Sequence, residues 1–396
     1  MRILFLSPRH CWPAHGGAKL LEYHLLRAVA KAGDVTYAHF TDPGLPPLTR
    51  AELPFVQEVV AVPKPRSYGI SQAARGIAGR WPLPVLNYTS PEMLRTVERL
   101  AATRFDFVHL EGIHMFRYAG LAQGKVVYNW HNIESEAMRR YGETVSSPAR
   151  RLYASLTAHK LRTLEREMLH EAFGHVVCSE RERCVLQRIA PSARIAVVEN
   201  GVDCSYFERV SGTIQRDSIV FVARMENAAN ALAATKFART TWPRIREEMP
   251  QLRLVLVGAE PLPSVRTLAQ LQGVEVTGTV DDLRPYYNKA LAAIVPLLSG
   301  SGTRLKILEA MAAQVPVISA PVGAEGLDAV PGEHLLIARL GDSEAWTAYL
   351  KQLNDSPKDR ERVTASALEF VRSRYDWQML GDKLTGIYKS WLRDGR

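Results

Sequence analysis

The sequence predicts an α/β protein built from two doubly wound domains, each with a parallel sheet covered by helices. Short apolar strands alternate with amphipathic helical segments along most of the 396 residues, as expected for doubly wound units. Strands such as residues 252–257 are apolar at almost every position, which is typical of parallel strands buried on both faces. The length also exceeds what one hydrophobic core usually serves.

Six strands are predicted in each half of the chain. Those of the first half lie at residues 2–7, 35–40, 105–110, 125–129, 175–178 and 195–198. Those of the second half lie at residues 218–223, 252–257, 274–277, 292–295, 315–319 and 335–338. Between strands, residues 18–32 and 148–172 have the apolar spacing of amphipathic helices.

A turn signal at Asn200-Gly201 marks the expected join between the two domains. We therefore predict a first domain at residues 1–200 and a second domain at residues 201–369. Residues 370–396 have a helical pattern, many aromatic side chains and a positive charge like that of the first domain. We expect this C-terminal helix to return to the first domain and pack there.

The composition is that of a folded protein, because 46% of the residues are hydrophobic and 23% are charged. Lys and Arg number 50 against 41 Asp and Glu, which gives a net charge of +9. The excess is uneven, with +8 over residues 1–200, −2 over 201–369 and +3 over 370–396. Because no aromatic–basic recognition motif accompanies it, we expect a second partner on the first domain and no nucleic acid.

A basic stretch between residues 139 and 166 and the apolar run at residues 81–84 suggest what that partner is. Together they predict a peripheral contact with an anionic membrane, and a lipid-linked acceptor. Solvated helix faces and a packed loop are the alternative interpretation. The four cysteines have no C-x-x-C spacing, and the first residues have no long apolar run. Both observations predict a reduced, cytoplasmic protein without a membrane span.

The most informative segment is residues 298–312, a Gly- and Ser-rich loop that follows a predicted strand and begins a helix. Gly300 and Gly302 allow backbone N–H groups to approach a ligand, and a helix N-terminus favours an anion. Lys306 and Glu309 share one helix face, so a cation beside phosphate and a carboxylate for ribose hydroxyls would lie together. A Ser/Gly turn that caps an ordinary helix is the alternative. The spacing matches neither a Walker loop nor a dinucleotide fingerprint.

At this point the sequence resembles the retaining glycosyltransferases of family 4, which have the GT-B fold. The resemblance lies in Leu-Glu-Ala-Met-Ala at residues 308–312, in the strand at 313–320, in the segment 278–287 and in Asn-Gly-Val-Asp at 200–203. It implies two Rossmann-like domains that face each other across a cleft, with a C-terminal helix that returns to the N-terminal domain. The first domain would bind the acceptor and the second a nucleotide sugar, such as a UDP- or GDP-sugar.

The resemblance also implies site residues in both domains. In the first, Gly16 and Gly17 would approach the donor, and His131 at a strand end would hydrogen-bond the transferred sugar. In the second, Arg224 would meet the diphosphate. The remaining donor-binding residues would be Asn227, Val280, Ser301, Gly302, Thr303, Arg304 and Glu309.

Two positions depart from the family pattern. Ser301 stands where the family often has Glu, and Asn230 stands where it usually has Lys. Lys306 or Arg304 would then replace the lost cation. These departures bear on the donor sugar more than on the reaction class.

No Asp-x-Asp and no zinc-ligand spacing occurs in the sequence, so we expect no cofactor and no metal. His131, Arg224 and Lys306 are the predicted catalytic residues, with cationic groups offsetting the charge of the leaving group. The predicted function is transfer with retention to a glycan or lipid-linked acceptor in cell-envelope or exopolysaccharide synthesis. The alternatives are a nucleotide-sugar 2-epimerase on the same fold and an inactive homologue that binds nucleotide.

Overall fold

The computed structural model describes residues 1–14, 17–65, 69–145, 147–208, 215–299 and 305–394. By the contacts within it, the chain forms two compact units, one of Met1–Glu199 with Leu380–Arg396 and one of Asn200–Met379. Each unit has its own parallel sheet and its own hydrophobic core. The predicted α/β class with two doubly wound domains is confirmed.

The sheet of the first unit has seven parallel strands in the order β3-β2-β1-β4-β5-β6-β7. The strands are β1 Arg2–Ser7, β2 Asp34–Thr41, β3 Glu58–Pro63, β4 Phe107–Glu111, β5 Lys125–Trp130, β6 Gly174–Val177 and β7 Ile195–Val197. All side chains of β4 are buried, and so are those of β1 after its first residue. The sequence prediction missed β3, because this edge strand is only partly buried and ends in a proline.

Within the described residues, seven helices and a 3-10 turn at Ile113–Tyr118 join these strands. The helices are α1 Gly17–Ala32, α2 Ile70–Ala78, α3 Leu83–Leu86, α4 Pro91–Leu100, α5 Glu134–Thr144, α6 Pro148–Glu171 and α7 Glu180–Ile189. Glu165 of α6 fixes the start of α5, since it accepts hydrogen bonds from Ser135 N at 2.9 Å and Ser135 Oγ at 2.5 Å.

The sheet of the second unit has six parallel strands in the order β10-β9-β8-β11-β12-β13. The strands are β8 Ser218–Val222, β9 Arg253–Val257, β10 Val274–Gly278, β11 Ala290–Val295, β12 Val317–Ser319 and β13 Leu336–Ile337. The helices that follow in the chain are α8 Cys204–Glu208, α9 Ala228–Thr240, α10 Trp242–Glu248, α11 Pro263–Arg266, α12 Arg284–Lys289, α13 Leu305–Ala312, α14 Pro321–Ala324, α15 Ser343–Asp355, α16 Pro357–Arg374 and α17 Trp377–Arg393.

The C-terminal segment differs from the expected boundary at residue 370. Phe370, Val371 and Tyr375 belong to the hydrophobic core of the second unit, and α16 runs on to Arg374. The chain rejoins the first unit at Leu380, within α17. The aromatic side chains of this segment are therefore divided between two cores, a division that composition does not reveal.

The strand orders place one switch point in each unit. In the first unit the chain leaves β1 toward β2 on one side, and later places β4 on the other side. In the second unit β8 has β9 on one side and β11 on the other. Ligands of open α/β sheets bind beside the carboxyl ends of such strands, so these two places are where a site is expected.

Gly258 shapes the carboxyl edge of the second sheet. It follows β9 with φ +152°, and a Cβ atom there would lie 1.7 Å from the carbonyl oxygen of Ala223. Only glycine allows this approach, which brings the end of β9 against the residue that precedes Arg224.

The apolar run at residues 81–84, for which membrane contact and a packed loop were the two interpretations, is largely covered. Pro82 and Leu83 are buried, and the half-buried Trp81 packs on Phe116 with ring centres 5.7 Å apart. The packed loop is therefore the interpretation that the structure supports, because these residues pack into the first unit. Among the described residues, the helices are either too short or too polar to span a bilayer.

Candidate active site

Arg224 lies two residues beyond β8, at the switch point of the second unit. Its side chain is 68% exposed, and its guanidinium pairs with the carboxylate of Glu226. An exposed pair of this kind is held weakly. Arg224 can therefore exchange Glu226 for the oxygens of an anionic ligand, which its planar fork matches.

Two asparagines organise the backbone after Arg224. Asn227 caps α9, since its Oδ1 accepts hydrogen bonds from Ala229 N at 2.9 Å and Asn230 N at 3.4 Å. Asn230 donates from Nδ2 to the carbonyl of Arg224 at 2.9 Å. The side-chain oxygen of Asn227 is thus used in the cap, and its amide nitrogen is the part that a sugar hydroxyl could meet.

Lys306 of α13 joins this cluster. Its Nζ donates to Asn230 Oδ1 at 3.0 Å and lies 5.0 Å from the centre of the Phe221 ring. The ammonium group therefore lies at the carboxyl end of β8, beside the backbone of Arg224. Asn230 thus links Lys306, which follows β11, to the backbone of Arg224, which follows β8.

Glu309 lies one turn further along α13. Burial, partly opposed by the nearby Lys306 ammonium, raises the pKa of Glu309 to about 7. The hydroxyl of Tyr287 lies near enough for each group to shift the pKa of the other. Such a carboxylate gains from any hydroxyl donors that a ligand brings.

Of the other residues predicted to bind the donor, some lie within the described ranges and some outside them. Val280 follows β10, is half-buried and packs against the core of the second unit. Beside it, a groove runs along the ends of β9 and β10, lined by Glu260, Arg266 and residues 276–279. Gly17 begins α1. The predicted residues outside the described ranges are Gly16, Ser301, Gly302, Thr303 and Arg304.

His131 follows β5 in the first unit, at the carboxyl edge of the sheet. Its Nε2 lies 2.7 Å from Glu111 Oε2 and 3.8 Å from Glu22 Oε1. The approach to Glu111 lies off the N–H direction, so this contact is an ion pair more than a directed hydrogen bond. Both carboxylates are fully buried, whereas the His131 side chain is 16% exposed.

Further polar groups hold the two carboxylates in place. Glu111 accepts hydrogen bonds from His109 Nε2 at 2.7 Å and Asn129 Nδ2 at 2.9 Å. Glu22 accepts one from Ser7 Oγ at 2.7 Å, and the Nε of Arg9 lies 3.5 Å from its other oxygen. The cluster lies at the ends of β1, β4 and β5, on the switch point of the first unit.

The charges of this cluster shift three pKa values in different directions. Burial opposes ionisation of Glu111, yet contacts with His109 and His131 hold its pKa well below the usual range. Burial would lower the pKa of His131, but the contact with Glu111 and its negative charge raise it. Burial raises the pKa of Glu22 to about 7, even with Arg9 beside it.

Glu22, Glu111 and His131 also bring one potential metal-ligand atom each within 4.8 Å of the others. The residues around them do not suit a cation. Arg9 already faces Glu22, and Asn129 already donates to the Glu111 oxygen that faces His131. A divalent ion would have to displace both donors and lie beside a guanidinium. This cluster is better suited to holding protons.

Sequence reasoning found His131 but missed its partners Glu22, Glu111, Arg9 and His109. Two signals were present. Glu111 follows a predicted strand end, and Glu22 is a single acidic residue inside the apolar pattern of residues 18–32. A buried acidic residue of that kind needs a partner, but the sequence does not say which one.

Two Rossmann-like units with charged side chains at both switch points define a protein of the GT-B class. Family models agree with this assignment. The model described as Glycosyltransferase Family 4 matches residues 15–206, and the one described as Glycosyl transferases group 1 matches residues 216–356. Together they span most of the chain, which therefore belongs to glycosyltransferase family 4.

Two curated relatives illustrate the range of the family. A phosphatidyl-myo-inositol mannosyltransferase of Mycobacterium leprae is 25% identical over 45% of this chain and 48% of its own length. This chain thus aligns with less than half of that relative. A glycogen synthase of Mycobacterium tuberculosis is 24% identical over 100% of this chain and 96% of its own length.

Solved structures share the fold over the whole chain. Sucrose-phosphate synthase from Thermosynechococcus elongatus superimposes with a TM-score of 0.72 at 17% identity, covering 100% of both chains. Anabaena HepE, crystallised with UDP and glucose, has a TM-score of 0.67 at 15% identity, covering 98% of this chain and 100% of its own. At these identities the likeness shows the GT-B fold.

Proposed function

We propose that this chain transfers a sugar, with retention and without a metal, from a nucleotide diphosphate sugar to a glycan or lipid-linked acceptor. The observation that carries the proposal is the group formed by Arg224, Lys306 and Glu309 at the switch point of the second unit. It unites two cations suited to a diphosphate with a carboxylate suited to ribose hydroxyls. The UDP in the HepE structure favours UDP over GDP as the nucleotide.

Each residue has a role in this reaction. Arg224 and Lys306 offset the negative charge that grows on the leaving diphosphate, which is electrostatic stabilisation of the transition state. Glu309 accepts hydrogen bonds from the ribose, and the backbone at Val280 faces the base. The predicted loop residues Ser301, Gly302, Thr303 and Arg304 supply further donors to the phosphates, and Asn227 serves the sugar.

The first unit binds the acceptor in this proposal, and its Gly16 and Gly17 approach the donor. His131 hydrogen-bonds the transferred sugar. The acceptor hydroxyl attacks the anomeric carbon from the face that the nucleotide leaves. The bond from that carbon to the phosphate oxygen breaks as the new glycosidic bond forms, and the hydroxyl proton passes to the departing phosphate.

Two observations support the proposed acceptor class, the charge of the first unit and the names of two relatives of the chain. The relatives include an enzyme named for a phosphatidylinositol and another named for glycogen, so both a lipid-linked and a glycan acceptor fit the family. We place the reaction in cell-envelope or exopolysaccharide synthesis.

The proposed membrane contact rests on the N-terminal half of α6. Leu152 is 62% exposed and Leu156 is 41% exposed, one helical turn apart, with exposed Arg150 and Arg151 beside them. An exposed apolar pair beside cations suits the surface of an anionic membrane. Lys160, also in the predicted basic stretch, makes hydrogen bonds within the first unit. Its Nζ donates to the carbonyls of Gly76, Ile77 and Gly79 at the end of α2.

Vesicle sedimentation tests this contact. We expect binding to vesicles with phosphatidylglycerol but not to pure phosphatidylcholine, and Leu152→Glu should weaken it. Leu232→Glu is the matched control, because Leu232 is 48% exposed on α9 of the second unit. Equal binding by the wild type and Leu152→Glu would remove α6 from the proposal.

Nucleotide release tests the reaction itself. UDP-, GDP- and ADP-sugars are incubated in EDTA, with and without an acceptor extract. Release that the extract stimulates supports transfer without a metal, and NMR of the product shows whether the anomeric configuration is kept. Epimer formation without acceptor would point to the 2-epimerase. If no nucleotide sugar binds, the proposed donor site is wrong.

A further inference from the structure

Glu111 has two hydrogen-bond donors and one ion-pair partner around its carboxylate. His109 Nε2 lies 2.7 Å from Oε1, while Asn129 Nδ2 lies 2.9 Å and His131 Nε2 lies 2.7 Å from Oε2. The side chain is fully buried. A carboxyl group in such a place is stable only as the anion, because a proton on either oxygen would face a donor.

The tautomer of His109 follows from its two contacts. Its Nε2 donates to the Glu111 carboxylate, so in the neutral ring Nδ1 is the acceptor. The Tyr388 hydroxyl lies 2.5 Å from that Nδ1 and is its donor. Tyr388 belongs to α17 and is fully buried. The C-terminal helix thus fixes the orientation of His109, which in turn fixes Glu111.

His131 is held from one side of its ring. Its Nε2 faces Glu111 Oε2 at 2.7 Å and Glu22 Oε1 at 3.8 Å. No directed hydrogen bond to Glu22 Oε1 is made within the described part of the chain, so this oxygen contributes its charge. Because the carboxylates engage Nε2, Nδ1 is the nitrogen that the ring can offer a ligand.

We propose that Glu111 is a positioning residue that holds His131 as an imidazolium through Nε2 and thereby presents its Nδ1–H to the substrate. The inference rests on the proposed function, because it concerns the histidine assigned there to the transferred sugar. A protonated Nδ1 is a fixed donor, whereas a neutral ring with Nε2–H would leave Nδ1 as an acceptor. The expected ligand atom is therefore an oxygen with a free lone pair, such as a sugar hydroxyl.

Other charged groups also face His131. Arg9 approaches from the loop after β1, Glu22 from α1, and Glu134 from the start of α5. His114 of the 3-10 turn is a fourth neighbour, and burial lowers its pKa to about 3, so it stays neutral. The two carboxylates that face Nε2, those of Glu22 and Glu111, oppose the single guanidinium of Arg9, and this balance favours the imidazolium. The raised pKa of His131 agrees with this balance.

Histidine NMR titration tests the proposal without reference to activity. In the wild type, His131 should titrate above a free histidine, and in Glu111→Gln the midpoint should fall by about 1–3 pH units, as for loss of a close opposite charge. Glu98→Gln, an exposed exchange on α4, is the matched control, and exposed His159 is the internal reference. Equal His131 midpoints in the wild type and Glu111→Gln would overturn the proposal.

Two further variants keep the test decisive if Glu111→Gln folds poorly. Glu111→Asp retains the charge and should keep most of the shift, whereas Tyr388→Phe removes the donor to His109 and should lower the midpoint by a smaller amount. An unchanged midpoint in Tyr388→Phe with a lowered one in Glu111→Asp would contradict the proposed order of contacts.

Activity then separates this inference from the proposed function. With an active donor, Glu111→Gln should lower kcat about 10-fold or more, as for loss of a positioned proton donor, with a smaller change in KM. As the pH rises, the activity of Glu111→Gln should begin to decline at a lower pH than that of the wild type, because its imidazolium loses the proton earlier. If the NMR shifts occur but no nucleotide sugar is consumed by the wild type, the proposed function fails while the charge state of His131 stands.

Discussion

The two units differ in how the charged side chains at the edge of each sheet are held: the carboxylates of the first unit are buried, and Arg224 of the second is largely exposed. In the first unit, Glu22 and Glu111 are fully buried, and each is held by named donors. In the second, Arg224 is 68% exposed and pairs with Glu226, which is itself 36% exposed. Removing one partner of a buried charged pair costs much stability, and the pair is held rigidly. An exposed pair contributes little free energy and can change partners easily. The first cluster is thus preorganised, and the second is ready to exchange partners for a ligand.

The largest expected effect on stability falls in the first unit. Glu111→Ala leaves His109, Asn129 and His131 without their common acceptor, and we expect a loss of about 3–5 kcal/mol, as for breaking a buried charged network. Arg224→Ala should change stability by less than about 1 kcal/mol, because exposed pairs contribute little. Chemical denaturation of both variants checks the contrast. Similar losses in the two would erase the distinction between the units.

Lys306→Ala should show the reverse pattern, with stability nearly kept and transfer strongly reduced. Removal of one group that stabilises transition-state charge typically lowers kcat about 10²–10³-fold. Lys236→Ala, an exposed exchange on α9, is the matched control and should remain active.

A second-site change sharpens this prediction. Because Lys306 Nζ lies 3.0 Å from Asn230 Oδ1, a lysine at 230 can bring an ammonium to nearly the same place. The double variant Asn230→Lys with Lys306→Ala should therefore recover part of the lost activity. Failure of this rescue, with a folded protein, would mean that Lys306 acts by something other than its charge.

In the first unit, part of the stability should depend on pH through Glu165. Burial raises the pKa of Glu165 to about 7 despite two hydrogen bonds from Ser135. The pKa of Glu165 is higher in the folded state than in the unfolded state. The resulting stability is fully present at pH values below the unfolded-state pKa and is lost as the pH rises through about 7. We expect Glu165→Gln to weaken this loss between pH 5 and 8 by about 2–3 kcal/mol.

Denaturation midpoints across that pH range measure the effect. Glu167→Gln on the same helix is the control, because Glu167 is partly exposed. The same slope in the wild type and in Glu165→Gln would show that Glu165 is ionised in the folded protein at pH 5.

The smallest expected effect concerns the nucleotide. Glu309→Ala should weaken UDP binding about 10-fold, as for loss of hydrogen bonds to a charged acceptor, and Glu369→Ala on α16 should not. Since the pKa of Glu309 is about 7 without ligand, affinity should rise between pH 6 and 8 as the carboxylate ionises. Calorimetry at three pH values checks both statements, and an unchanged affinity in Glu309→Ala would exclude it as a ribose acceptor.

Much of the fold was readable from local pattern. The apolar strands were placed to within a few residues, because strands buried on both faces are apolar throughout. The edge strand β3 was missed, since half-exposed strands lack that signature. The sequence left open whether Trp81 is exposed or packed, because the ring that covers it, Phe116, is 35 residues away in the chain.

The sequence predicted the grouping of the candidate site residues in the second unit but not in the first. Lys306 and Glu309 lie three residues apart on one helix, so their shared face follows from helix geometry alone. Glu22, Glu111 and His131 come from α1, β4 and the end of β5, and nothing local links them. Tyr388 joins them from 279 residues beyond His109, a distance that no spacing rule covers.

The sequence by itself determined the class of the protein, two parallel α/β units, and the helix that carries the residues assigned to the nucleotide. These features depend on periodicity and on residues close together in the chain. The tertiary structure alone decided which charges are buried together, because strand order brings the ends of β1, β4 and β5 to one edge. It also decided that Lys306 meets Asn230 and that the C-terminal aromatic residues serve two cores, since both depend on packing between distant segments.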